Sequence, residues 1–104
     1  PPRLIQAKTT FTGARNEWWL RQKHENNTRV DVFYCFVDFK PKQPDVFVMP
    51  SALVAAHATQ SHRNWLKTLR RDGGKHKDTP ERRIGNRAQF DGRPEGWMDA
   101  HLEA

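Results

Sequence analysis

The chain has 104 residues, 36% of them hydrophobic, with a mean hydropathy of −0.95, which bounds it to one small domain with a compact core. The longest apolar run falls well short of the roughly 18 residues that a transmembrane helix needs, and a single cysteine excludes an intrachain disulfide or a multi-cysteine zinc site. Eighteen basic residues against 12 acidic ones give a net charge of +6 and a pI near 10.0, a balance that suits a polyanionic partner.

Residues 3–9, Arg3-Leu4-Ile5-Gln6-Ala7-Lys8-Thr9, read as a short strand. Alternation then puts Leu4, Gln6 and Lys8 on one face and Ile5 and Ala7 on the other. Residues 10–13 make a turn. Residues 14–25 are rich in helix formers and predict a helix. Trp18 and Trp19 are adjacent within it, so one is expected to pack on the sheet and the other to lie at its edge.

Residues 30–39 are the strongest strand. Val32 to Val37 is continuously apolar, which predicts a central strand buried on both faces, with Cys35 serving packing. Lys40-Pro41-Lys42-Gln43-Pro44 is too short for a helix and should return the chain antiparallel as a strand over 45–49. Pro50-Ser51 then opens a second helix, with Ser51 as N-cap. Leu53, Val54, Ala58, Trp65, Leu66 and Leu69 give it an apolar face, and Asp72-Gly73-Gly74 ends it. Residues 75–96 form a basic, loop-rich segment with at most short elements, and residues 97–104 a final docking turn or helix. Exposed aromatics could stack on unpaired bases, but Trp18, Trp19, Trp65 and Trp97 are expected in the core of so small a domain. The sum is an α+β domain: a small mixed or antiparallel sheet of about three strands with two helices.

The charge is localised. Residues 63–93 hold ten basic residues and four acids, a difference of six that equals the whole net charge. Arg63, Arg70, Arg71, Lys75, His76 and Lys77 are the candidate nucleic-acid contacts there, grouped around a Gly-Gly turn where flexible donors can grip phosphates. Lys23 and His24, at the end of the first predicted helix, are second-tier candidates. His57 and His62 are five apart, which does not align two ligands on one helix face, so zinc is not expected. The alternative is a solvated, solubilising surface.

Gln6 and Lys8 are the candidate catalytic pair. On one strand face, an amide oxygen can ligate a hard cation and an ammonium can neutralise charge on a phosphoryl oxygen. Taken with Asn16-Glu17-Trp18-Trp19-Leu20, Val32-Phe33-Tyr34-Cys35-Phe36-Val37-Asp38, Pro44-Asp45-Val46-Phe47-Val48-Met49-Pro50-Ser51, Ser61-His62-Arg63-Asn64-Trp65-Leu66 and Gly74-Lys75-His76-Lys77-Asp78, the chain resembles small bacterial proteins of the PD-(D/E)XK nuclease superfamily. The resemblance covers most of residues 3–100 and implies a restriction-endonuclease-like core.

In that superfamily a metal-binding Asp precedes a strand carrying Asp/Glu-x-Lys. Gln6-Ala7-Lys8 corresponds to the latter, with Gln in the acidic position. The part of the core that would carry the Asp has no counterpart in these residues. The resemblance implies Mg²⁺, held in part by Gln6, as the cofactor, and nucleic acid, DNA before RNA, as the partner. With the acids missing, the expectation is a nucleic-acid-associated protein of weak or no catalytic activity as an isolated chain. The alternatives are a protein-interaction module that kept the fold, or a Mg²⁺-dependent endonuclease completed by another subunit. A homodimer or higher oligomer is expected across the N-terminal strand, whose family neighbours are missing. A soluble, cytoplasmic location is the default.

Overall fold

The structure, a computed structural model, describes residues 4–10, 17–26, 28–39 and 43–103; for residues 4–10 it is the backbone that is described. Among the described residues, five strands, one α-helix and two 3-10 turns make an α+β domain. The strands are β1 (Leu4–Thr10), β2 (Glu17–Arg21), β3 (Val32–Asp38), β4 (Asp45–Pro50) and β5 (Glu81–Gly85), and the helix is α1 (Ser51–Lys67). One sheet has the order β1-β3-β4, and β2 pairs with β5 in a second.

The apolar run over 32–37 does take the central position. β3 pairs in parallel with β1, aligning Gln6 with Tyr34 and Lys8 with Phe36, and antiparallel with β4, aligning Phe36 with Phe47. The chain does return antiparallel as β4; residues 40–42 of the predicted connection lie outside the described residues. Among the described residues β1 is an edge of this sheet. At the opposite edge, Leu102 bridges Phe47 and the Glu103 amide donates to the Val46 carbonyl at 2.8 Å.

Several expectations are corrected. The helix expected over 14–25 is not α-helical where it is described: Glu17–Arg21 is a strand and Gln22–Asn26 a 3-10 turn, while residues 14–16 lie outside the described residues. The driving force is alternation. Trp18 and Leu20 are buried while Trp19 and Arg21 are exposed, which only a period of two allows. Among the described residues the two expected α-helices are therefore one. Helix α1 stops at Lys67 instead of Asp72, because Thr68 turns extended and its amide and hydroxyl both donate to the Trp65 carbonyl. Pro50 occupies the N-cap position. Ser51 is the first helical residue, and its hydroxyl donates to the Arg29 carbonyl at 2.5 Å, tying the helix start to the entry of β3. Strand β3 is fully buried on one face only: Val32, Tyr34, Phe36 and Asp38 are buried and Phe33, Cys35 and Val37 half-buried. Burial pushes the Cys35 thiol up, with the Glu103 carboxylate acting in the same sense, which favours the uncharged thiol.

The core lies between the two sheets and α1. Trp18 and Leu20 of β2, Tyr34 and Phe36 of β3, Phe47 and Met49 of β4, Val54 and Ala58 of α1, Ile84 of β5 and Met98 close on one another. The Trp18 ring tilts against Phe36 and meets Phe47 edge-on, and its Nε1–H donates to the Val37 carbonyl at 3.1 Å. That bond satisfies the one polar atom such a large buried ring carries. Of the four tryptophans only Trp18 is in the core; Trp65 and Trp97 are half-buried and Trp19 is 54% exposed. Among the described residues no helix is long and apolar enough to cross a membrane.

Candidate nucleic-acid interface

The basic segment is ordered by local chemistry. After α1, the chain turns through residues 68–75: Leu69 and Lys75 bridge, the Arg70 amide donates to the Gly74 carbonyl, and the Gly73 amide to the Arg70 carbonyl. Gly73 sits at φ +84°, a left-handed conformation that glycine adopts without strain. The segment then folds back onto α1. His76 stacks on Trp65 with centroids 4.1 Å apart, and His62 Nε2–H donates to Asp78 Oδ1 at 2.8 Å. The His62 hydrogen bond holds the Asp78 carboxyl below its ordinary value.

This fold-back separates the cations of residues 63–93 into two classes. Arg70, Arg82, Arg83, Arg87 and Arg93 each lie within 4.0 Å of a carboxylate oxygen. Arg63, Lys67, Arg71, Lys75 and Lys77 are exposed and, among the described residues, have no such ion pair. Arg63 and Lys67 lie four apart on the solvent side of α1, and the other three lie in the turn and its return.

Of the remaining candidates, Lys23 is exposed in the turn after β2. His24 does not belong to the contact surface: it is 4% exposed, with Nδ1 2.6 Å from the Tyr34 hydroxyl. It fills space between the 3-10 turn and β3. Next to it, Arg82 is buried at an inward position of β5, its Nε–H donating to Glu25 Oε2 at 2.7 Å and its Nη1 to the Thr79 and Glu81 carbonyls. The side chains of Gln6 and Lys8 lie outside what is described. Strand β1, Leu4–Thr10, contains no carboxylate, and Mg²⁺ asks for one or two. That donor set does not fit the ion. Among the described residues no group of three or more His, Cys, Asp or Glu side chains is placed to hold a metal.

Beside the basic turn a groove of about 450 Å³ opens where α1 meets β5 and residues 87–90. Trp65 of α1, Trp19 of β2 and Phe90 are among its lining. Cross-strand pairing puts Arg83 opposite Trp19, and its guanidinium lies 4.1 Å from the indole centroid. Glu17 accepts from Arg87 at 3.3 Å and lies 4.0 Å from Arg83. The wall formed by residues 87–93 is pinned to α1 at two points. Asn64 Nδ2–H donates to the Phe90 carbonyl at 2.7 Å, and buried His57 Nδ1 lies 2.9 Å from Asp91 Oδ2, which also accepts from Arg93. Burial pushes the His57 pKa down against the opposing pull of Asp91, so the neutral ring donates from Nδ1. Burial pushes the Asp91 carboxyl up, but the contacts with His57 and Arg93 outweigh it and leave it lowered.

Sequence reasoning counted Arg83 and Arg87 in the basic segment and expected Trp19 in the core; it missed Phe90, and that Trp19 and the two arginines share one groove. The alternation over 17–21 was the available signal for Trp19. Nothing local marks residues 81–85 as its partner strand. No family model, curated protein or solved structure matches the chain.

Proposed function

We propose that this chain binds nucleic acid, DNA before RNA, through the outer side of α1 and the basic turn that follows it, without cleaving it as an isolated chain. The single observation that carries this reading is the set of five exposed cations, Arg63, Lys67, Arg71, Lys75 and Lys77, with no carboxylate partner among the described residues. Cations already neutralised inside the fold contribute little counterion release on binding, whereas unpaired ones contribute fully. The turn that carries three of them is held to α1 by the His76–Trp65 stack and the His62–Asp78 bond, so fewer degrees of freedom are lost when phosphates dock. The nuclease resemblance supports the same partner class. The missing carboxylate on β1 argues against cleavage. A homodimer across the β1 edge belongs to the same reading, since it would merge two basic surfaces.

The test is DNA binding as a function of salt. Affinity should fall steeply, and replacing Arg71, Lys75 and Lys77 by Gln should lower the slope of log K against log salt by about two to three for duplex. No binding at low salt would overturn the proposal. Robust Mg²⁺-dependent plasmid cleavage, abolished by Lys8→Ala, would overturn its non-catalytic part.

A further inference from the structure

We infer that the groove between α1 and β5 takes an unpaired base, so that the partner is single-stranded nucleic acid in preference to duplex. This rests on the proposed nucleic-acid binding and names the form of polymer the surface selects. The groove has two properties that a plain phosphate cleft lacks. First, its walls are aromatic. Trp19, Phe90 and Trp65 line it, the first 54% and the second 53% exposed, and a volume of about 450 Å³ lies within the range of sites for small planar ligands. Second, its charge is balanced. Glu17 and Glu81 stand against Arg83 and Arg87 in its lining, and Arg82 is already paired with Glu25, which weakens the pull on a phosphate inside. The unpaired cations lie outside it: Arg63 and Lys67 on α1, and Arg71, Lys75 and Lys77 on the turn that His76 and Asp78 fasten to the same helix.

A neutral planar ring suits the interior, and a phosphodiester suits the surroundings. A nucleotide of a single strand has both parts in that order. A duplex buries its base faces in its own stack and offers only phosphates. Base stacking on aromatic side chains is tolerant of sequence, because every base has a π-face, so the preference is for strandedness and not for a motif. The groove is also held open in the free protein. The Asn64–Phe90 and His57–Asp91 bonds fix one wall, and the Arg83–Trp19 contact fixes the orientation of the exposed indole on the other.

The experiment compares three ligands of equal length by fluorescence anisotropy at low salt: a mixed-sequence single strand, its duplex, and the same strand with abasic residues throughout its centre. The single strand is expected to bind about tenfold or more tightly than the abasic strand, the difference falling on stacking alone. Trp19→Ala and Phe90→Ala, both at exposed positions, should each weaken the normal strand by about tenfold while leaving abasic-strand and duplex affinity within about twofold. Equal affinity for normal and abasic strands, or an equal loss for all three ligands in both variants, overturns the groove assignment while the electrostatic binding stands. Absence of binding to all three ligands overturns both. The abasic comparison uses the unaltered protein and does not depend on how any variant folds.

Discussion

The indole of Trp65 lies nearly flat on the imidazole of His76, with centroids 4.1 Å apart and planes 23° apart. The contact joins the last turns of α1 to the return of the basic turn eleven positions later, and it does so across a segment whose own hydrogen bonds are exposed. The turn is therefore ordered by the helix more than by itself.

Replacing His76 by Ala should loosen the turn. An aromatic pair of this kind is worth about 0.5–1.5 kcal/mol, so global stability should change by about 1 kcal/mol. Amide exchange at Arg70 and Gly73, whose N–H groups bond within the turn, should accelerate by a larger factor. His76→Phe should restore most of the protection. Unchanged exchange in His76→Ala would show that the turn holds its shape unaided.

Stability should fall on mild acidification through His57. Its ordinary pKa of 6.5 is lowered in the fold by burial. The unfolded chain then binds the proton more readily, so the contribution is complete above about pH 6.5 and is lost as pH falls below it. Asp91 has the same sign in a lower window: its carboxyl is depressed from 3.8, so its contribution is present above that value and lost as pH drops through the depressed one. Urea midpoints between pH 7.5 and 5 should decline in the wild type, and less steeply in His57→Gln. The variant itself should be less stable at pH 7.5, by about 1–3 kcal/mol, since Asp91 loses a buried donor.

Glu25→Ala should cost about 3 kcal/mol. Arg82 is 5% exposed, and removing its carboxylate leaves a cation with only two carbonyl acceptors in a buried place. Pairing Glu25→Leu with Arg82→Met should recover most of the loss, because exchanging both charges removes the desolvation penalty as well as the attraction. Urea denaturation of the single and double variants checks both halves.

Sedimentation equilibrium at micromolar concentration should give twice the chain mass of 12.2 kDa. The edge position of β1 offers a row of backbone groups to a second copy, and two-fold pairing is the simplest closed arrangement. A 12.2 kDa species alone would refute it.

What could be read from the residues follows from where the determining contacts lie. β3, β4 and the start of α1 are specified locally, by an uninterrupted apolar run, a connection too short for a helix, and Pro50-Ser51. β2 was misread because Glu17, Leu20, Arg21, Gln22 and Lys23 are good helix formers, and its competing strand character depends on β5. That partner reads Glu81-Arg82-Arg83-Ile84-Gly85, and a charged residue at an inward position looks like loop until Glu25 is known to stand beside it. The basic character of residues 63–93 was visible. Which cations stay unpaired was not: Arg70 and Arg93 pair with an acid two positions away, but Arg82, Arg83 and Arg87 find theirs on distant elements, in Glu25 and Glu17.

The β2–β5 pairing has a consequence for how the chain acquires its shape. Trp18 lies opposite Ile84, a separation of 66 positions (84 − 18). Closing so long a loop is slow, and a chain dominated by such pairings sits at the slow end of folding rates. During synthesis, β1, β3, β4 and α1 are all complete before residues 81–85 exist. Through that interval β2 has no strand to pair with, and the Trp18 and Trp19 rings stay available to wrong partners. Aggregation during expression should therefore be governed by the N-terminal quarter of the chain, and co-expressed chaperones should raise the soluble yield more than a lower temperature does.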